Sequence, residues 1–339
     1  MILEKINEKL DNIIQNDIQL YFITRVLKAD KKKTSKVLDK YDFKTYQIDI
    51  NDEIRQHLFN ITKNQVSKLI KQKEEIQEYD VITDDTESLF TYSMKNKAMS
   101  FSQVVTNQLP NQPPKIKSLE EVIIDEELWA YSVGLYHSEN DWIYTFRKIF
   151  TGKVAIDENK SNKKGPLQKQ IRTIFNTKNQ KLELIEGETV NLDKAIDCIY
   201  YEELFYVAKK GQFEKIVGLE EEYKEQANKV VKELRSTEMI EGLKIIEDMV
   251  KENPAIHKKL VKLNKVGSYK KLNKRTISQM EKVCKKYGDK LKVRDGKLIV
   301  EDKDDVNLAL KMLADYYKRG EVSGKAYGTY SGKQIQQTE

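Results

Sequence analysis

The chain has 339 residues, 34% of them charged, with 60 Lys/Arg against 54 Asp/Glu and a net charge of +6. Its 39% hydrophobic content, including 18 Tyr and 10 Phe, is enough for a sizeable core, and the mixed charge signs argue against long disorder. No apolar run approaches the roughly 20 residues that span a bilayer. Met1–Leu20 has no signal-peptide core, and two cysteines, Cys198 and Cys284, make no disulfide framework, so a cytoplasmic protein is expected.

Ile2, Ile6, Leu10 and Ile13 recur at helical spacing and predict a short helix over residues 2–15. Ile18–Leu27, rich in β-branched and aromatic residues, predicts a strand, and the alternation in Phe43–Ile50 predicts another after the basic connector Lys31–Lys40. Ile54–Gln77 predicts one or two helices with Leu58, Ile61, Val66, Leu69 and Ile70 on the apolar face. Residues 78–118 are less regular and contain the breaker Leu109-Pro-Asn-Gln-Pro-Pro114. The expected division is an N-terminal α+β region over 1–118 and an α+β domain with a helical C-terminal part over 119–339. Leu128–Tyr136 and Trp142–Phe150, joined through His137–Asp141, predict a hairpin. Lys160–Gly165 reads as a polar loop. Leu182–Ile185 and Ile196–Tyr200 predict further strands, with Tyr201-Glu202-Glu203 turning into Leu204–Val207.

From Gln212 the period becomes helical: Phe213, Ile216 and Val217, then Tyr223, Ala227, Val230, Val231 and Leu234, then Ile240, Leu243, Ile246, Met249 and Val250. Asn253-Pro254 is a helix start, since Asn caps and Pro suits the first turn. Two basic helices, a hairpin and the segment Val306–Tyr317 follow, then a Gly/Ser/Thr-rich tail from Lys318. The expected class is α+β: a mixed, mainly antiparallel sheet in the N-terminal two-thirds and a helical C-terminal third containing a β-hairpin.

Between Lys251 and Arg294 stand 15 Lys/Arg and three acids, a net charge of +12 in a chain whose total is +6. Clustered cations attract phosphates and release their counterions. On a helix from Pro254, Ile256, Leu260 and Leu263 fall within about 60° of one another, with Lys258, Lys262 and Lys265 opposite. On the next, Ile277, Met280, Cys284 and Tyr287 form the apolar stripe, away from Arg275, Lys282, Lys285 and Lys286. Asp295-Gly296 predicts a two-residue turn pairing Arg294 with Lys297 and Val293 with Leu298. Leu291, Val293, Leu298 and Val300 then share one face, and Lys292, Arg294 and Lys297 the other. The ordinary alternative is a solvated surface in a chain with 52 Lys and 8 Arg. An acidic protein or anionic lipid headgroups would also fit. Lysine reads bases poorly compared with Arg, so backbone contacts with weak sequence preference are expected. Tyr269 and Tyr287 could add stacking to a nucleic-acid groove, but core or edge aromatics are the expected role for both.

His57, His137 and His257 are far apart in sequence, no His/Cys cluster suits zinc, and neither a phosphate-binding loop at Thr151-Gly152-Lys153 nor a nucleophile elbow is present. No metal or other cofactor is expected. The remaining enzyme candidate is Asp197, Glu203 and Lys209, because Mg²⁺ needs oxygen ligands and a lysine can orient the attacking water.

The stretches Ala195-Ile-Asp-Cys-Ile-Tyr-Tyr-Glu-Glu-Leu-Phe-Tyr-Val-Ala, Gln212-Phe-Glu-Lys-Ile-Val-Gly-Leu and Asn253-Pro-Ala-Ile-His-Lys-Lys-Leu-Val-Lys-Leu, with Leu291–Asp302, Leu308–Tyr317 and Ser323-Gly-Lys-Ala-Tyr, resemble the KwaB family in order and spacing across about residues 190–335. KwaB is the cytosolic B component of Kiwa anti-phage defence systems. Leu128–Phe150 resembles the family's paired strands more weakly, and the first 120 residues carry no part of the likeness. The resemblance implies a non-enzymatic effector that binds double-stranded DNA and interferes with phage replication and transcription. It also implies a membrane-protein partner that could recruit the chain to the inner face of the membrane, and a homodimer or higher homo-oligomer. A Mg²⁺-dependent nuclease and a docking module that ignores DNA are the alternatives.

Overall fold

The computed structural model describes residues 2–14, 17–28, 41–73, 75–81, 88–95, 100–116, 122, 126–138, 141–149, 154–155, 173–176, 181–184 and 189–330, with the backbone alone at 154–155, 173–176, 181–184 and 189. The loops expected at Lys31–Lys40 and Lys160–Gly165, the Thr151-Gly152-Lys153 turn and the last nine residues lie outside these. The chain forms two compact units, residues 1–79 with 86–218 and residues 80–85 with 219–339.

The first unit is built on a nine-stranded sheet. Its strands are β1 (Ile18–Leu27), β2 (Tyr41–Ile48), β3 (Glu75–Glu78), β4 (Ser88–Ser93), β5 (Lys115–Ile116), β6 (Glu127–Ser138), β7 (Asp141–Lys148), β12 (Cys198–Tyr201) and β13 (Leu204–Val207). The order is β3-β4-β13-β12-β7-β6-β1-β2-β5. Only the edge pairs β2–β5 and β3–β4 are parallel. Between β7 and β12 the chain makes two small ladders, β8 (Val154–Ala155) with β11 (Thr189–Val190) and β9 (Thr173–Asn176) with β10 (Lys181–Leu184). Strands on both sides of the boundary expected at residue 118 therefore belong to one sheet.

Strand alternation sorts the core into two layers. Ile18, Leu20 and Phe22 join Leu3, Ile6 and Leu10 of α1 (Ile2–Leu10) and Leu58, Val66 and Leu69 of α2 (Asp52–Gln72) in one apolar cluster. The other layer is aromatic. Phe101 packs on Phe43 and Phe146 at 5.2 and 6.0 Å, and Phe205 on Phe213 of α3 (Lys210–Val217) at 5.3 Å. The helix expected over Ile54–Gln77 ends at Gln72, and β3 follows, an exposed edge strand whose sequence Glu-Ile-Gln-Glu carries no strand signal of its own.

The second unit is mainly helical: α4 (Leu219–Ser236), α5 (Leu243–Glu252), α6 (Pro254–Val266), α7 (Lys274–Lys286) and α8 (Lys303–Leu313). A 3₁₀ turn, Ser268–Lys271, joins α6 to α7. These pack around β14 (Ile240–Glu241), β15 (Val293–Arg294) and β16 (Lys297–Ile299), ordered β14-β16-β15. The unit's core holds Val230, Leu234, Ile246, Leu260, Tyr269, Ile277, Leu298 and Leu310. A short ribbon, β17 (Tyr317–Arg319) with β18 (Ala326–Gly328), follows α8. Ile240, expected to begin a helix, instead pairs parallel with Leu298. Gly242, at φ 84°, breaks the chain between that strand and α5, and a Cβ there would stand 1.9 Å from the Val300 carbonyl oxygen. Among the described residues no helix is long and apolar enough to cross a membrane.

Candidate nucleic-acid interface

The basic window folds as α6, the 3₁₀ turn, α7 and the β15–β16 hairpin. Asn253 caps α6 by accepting from the Ala255 amide at 3.0 Å, Pro254 fills the first turn, and Gly267 at φ 68° stops the helix. The helix buries more than the expected single stripe: Val261 and Lys262 are buried along with Ile256, Leu260 and Leu263. Lys262 departs from the cationic face predicted for it, being 6% exposed with its Nζ 3.0 Å from Asp80. That ammonium neutralises a partner inside the unit. Lys258 is half-buried and also engaged, while Lys265 is exposed. His257 is buried, its Nε2 2.5 Å from the Val250 carbonyl, which makes it a core group.

Helix α7 is different. A reciprocal cap between Asn273 and Thr276 starts it, and its fully buried residues are Ile277 and Cys284 alone. It lies on the surface, with Arg275, Lys282, Lys285 and Lys286 exposed. Lys285 pairs with Glu281 at 3.0 Å. Arg275, Lys282 and Lys286, spaced i, i+7, i+11, fall within about 40° of one another around the helix and form a stripe along it. Among the described residues none of the three meets an acid; Lys286 lies 5.6 Å from the Tyr287 ring centroid.

The hairpin forms in the expected register, Val293 opposite Leu298 and Arg294 opposite Lys297. Asp295 and Gly296, at φ 53° and 78°, make the two-residue turn. Its charges are nevertheless largely answered. Lys292 Nζ meets Glu301 at 2.9 Å and Asp305 at 2.8 Å, and Arg294 pairs with Glu241. Asp305 and Glu301, donated to by Lys292, hold its ammonium pKa above the ordinary value. The neutralising acids lie outside the 251–294 window, so the count of charges within it overstated the free excess. Lys297 is half-buried and meets no acid among the described residues. Lys271, in the 3₁₀ turn, is exposed and likewise unanswered; it belongs to neither helix and so escaped the stripe reading.

The acid–lysine triplet does not converge. Asp197 is fully buried at the open end of the β12–β13 hairpin, ion-paired with Arg147 and accepting from the Lys148 amide at 2.8 Å. Burial raises its carboxyl pKa, opposed by that amide and by Arg147. Glu203 sits in the turn at the far end, five or six residues or roughly 16 Å away along the strand, and pairs with Lys95 at 3.3 Å. Lys209 lies at the start of α3, its amide bonded to the Asp197 carbonyl at 2.9 Å. One metal ion cannot bridge carboxylates so placed. Among the described residues no group of three or more His, Cys, Asp or Glu is arranged to hold a metal.

Fold and surface together define an α+β protein with a nine-stranded sheet and a helical unit that exposes one strongly cationic helix. Residues 125–323, more than half of the chain, match the family model described as Kiwa protein KwaB-like, and the chain belongs to that family. It is a component of Kiwa anti-phage defence and works with other components of such a system. The match spans the paired strands β6 and β7 as well as the helical unit to Ser323. No curated protein and no solved structure matches the chain.

Proposed function

We propose that the chain is a non-enzymatic effector that binds double-stranded DNA through its phosphates, with weak sequence preference, as its part in Kiwa defence. The observation that carries the reading is the unanswered stripe Arg275, Lys282 and Lys286 on a surface helix, with Lys265, Lys271 and Lys297 beside it in sequence. A cation already paired with a carboxylate must give up that partner before it can meet a phosphate. A free cation gives up only counterions and water. Three lysine-like contacts along one helix fix register on a backbone without reading bases. Family membership supports the defence role and action with other Kiwa components; a membrane-protein partner at the inner face of the membrane and assembly as a homodimer or larger homo-oligomer are further parts of the same proposal.

The test is a salt series of duplex affinity. Each phosphate contact contributes about 0.9 to the log–log slope. Changing Arg275, Lys282 and Lys286 to Gln is expected to lower that slope by about three and weaken binding across unrelated sequences. Changing the paired Lys292 and Arg294 to Gln is expected to lower it by much less. A flat salt response in the unaltered protein overturns the reading.

A further inference from the structure

Beside the α7 stripe the second unit opens a groove of about 610 Å³ between α7, the end of α6 with the 3₁₀ turn, and the residues that follow α8. That volume lies within the roughly 300–1,000 Å³ of sites that hold small ligands. Its apolar surface comes from Val266, Met280, Val283, Met312, Tyr316 and Tyr317. Val266 and Val283 are 44% and 37% exposed, an uncommon state for two valines facing one depression. The aromatic wall is fixed in orientation. The Tyr317 ring stacks on Tyr287 at 4.5 Å with planes 7° apart and stands perpendicular to Tyr316 at 5.4 Å.

The rim is cationic on both sides. Lys271 lines the groove from the 3₁₀ turn. On α7, Gln279 lines it too, and the stripe of Arg275, Lys282 and Lys286 runs beside that edge, centred about 40° from Gln279 at roughly 100° per residue. Asp315, the acid in the lining, is held by Lys318 at 2.5 Å. A paired duplex offers this surface its phosphates but keeps its bases stacked inside, leaving the apolar groove unfilled. A neutral apolar peptide would fill the groove and leave the cations unmatched. An unpaired strand matches both at once, phosphates on the stripe and base faces in the groove, because stacking accepts any base.

We propose that the groove and stripe together bind single-stranded DNA, so that the protein prefers DNA with an unpaired stretch or end over a blunt duplex. This rests on the DNA reading above and names the form of DNA that the same helix takes. Gln279, at the boundary between stripe and groove, is placed to donate its amide to a base edge.

The experiment compares the full chain's affinity, by fluorescence anisotropy at fixed salt, for a thymidine oligonucleotide, a blunt duplex, and that duplex with a single-stranded overhang. The single strand and the overhang are expected to bind about tenfold tighter than the blunt duplex. Tyr317→Leu, which keeps apolar volume and removes the stacking face, is expected to abolish that advantage and leave blunt-duplex affinity unchanged. The double variant Val266→Leu with Val283→Leu narrows the groove at two exposed positions and is expected to do the same. In the unaltered protein, photocrosslinking of a bromodeoxyuridine strand should mark Tyr316 or Tyr317. Equal affinity for all three forms, with silent variants and crosslinks elsewhere, overturns the groove assignment and leaves the duplex reading standing. The groove then serves a ligand without bases, such as an acidic peptide. Binding to none of the three overturns both.

Discussion

Asp197 is fully buried between Arg147 and the Lys148 amide, and Arg147 also reaches Asp193 at 2.7 Å. Removing one carboxylate from a buried pair leaves the guanidinium under-compensated, which typically costs about 3 kcal/mol or more. Asp197→Ala is expected to lower stability by about 3 kcal/mol, measured as a shift in the urea midpoint. Glu203→Ala, in an exposed turn, should change it by less than about 1 kcal/mol. Lys148 gives a pH-dependent signature in the same region. Its Nζ donates to the Trp129 and Ile149 carbonyls at 2.8 and 2.5 Å and lies 3.5 Å from the Trp129 ring centroid. Burial pushes its pKa down to about 8 from an ordinary 10.5. Below about pH 8 folded and unfolded chains both hold the proton. Between about 8 and 10.5 the unfolded chain keeps a proton that the folded chain has released, so stability rises with pH across that window. The rise is on the order of 2–3 kcal/mol. Comparing Lys148→Met with the unaltered protein at about pH 7 and about pH 10 should show it only where the lysine is present.

At the scale of elements, the hairpin and its neighbours separate what sequence shows from what it hides. Asp295-Gly296 announces its own turn, and Asn253-Pro254 its own helix, because a left-handed pair and a cap are local requirements. Strand β14 has no such local cause. Two residues, Ile240 and Glu241, become a strand only because Leu298 and Ile299 arrive beside them, and the helical period of the surrounding apolar residues pointed the other way. Gly242 is the visible trace of that arrangement. Gly242→Ala forces a methyl group onto the Val300 carbonyl at a positive φ and is expected to cost about 3 kcal/mol or more, read from thermal and urea unfolding. Helix α6 teaches a related point. One apolar stripe predicts one buried face, but Val261 and Lys262 are buried as well, so Lys262 left the cationic face for reasons its own helix does not contain. On α7, with a single buried face, helical geometry alone placed every cation correctly on the surface.

For the molecule as a whole, charge and connectivity matter more than any single contact. The +12 of the basic window shrinks once acids from outside it, Glu241, Glu301 and Asp305, reach its hairpin. The free excess concentrates on α7, a distribution no linear count can reveal. Connectivity likewise opposes dissection near residue 118. Strand β1 pairs with β6 and shares its core with α1 and α2, and β4 pairs with β13. A fragment of residues 119–339 loses β1, α1 and α2, so β6 keeps an open edge and an uncovered apolar face. That fragment is expected to aggregate or show early protease cleavage, whereas the full chain resists; limited proteolysis with light scattering decides it.

The seating of β16 between β14 and β15 also sets a timetable. Synthesis delivers Ile240 well before Leu298, so the middle strand of the helical unit is the last of the three to leave the ribosome. Until it does, Ile240 and Val293 lack the strand that pairs with both, and the core that Leu298 shares with the helices stays incomplete. The cationic helix α7 is thus made before the unit that holds it can exist. A chain interrupted just short of Lys297 would carry the whole α7 sequence but not the strand that completes its unit.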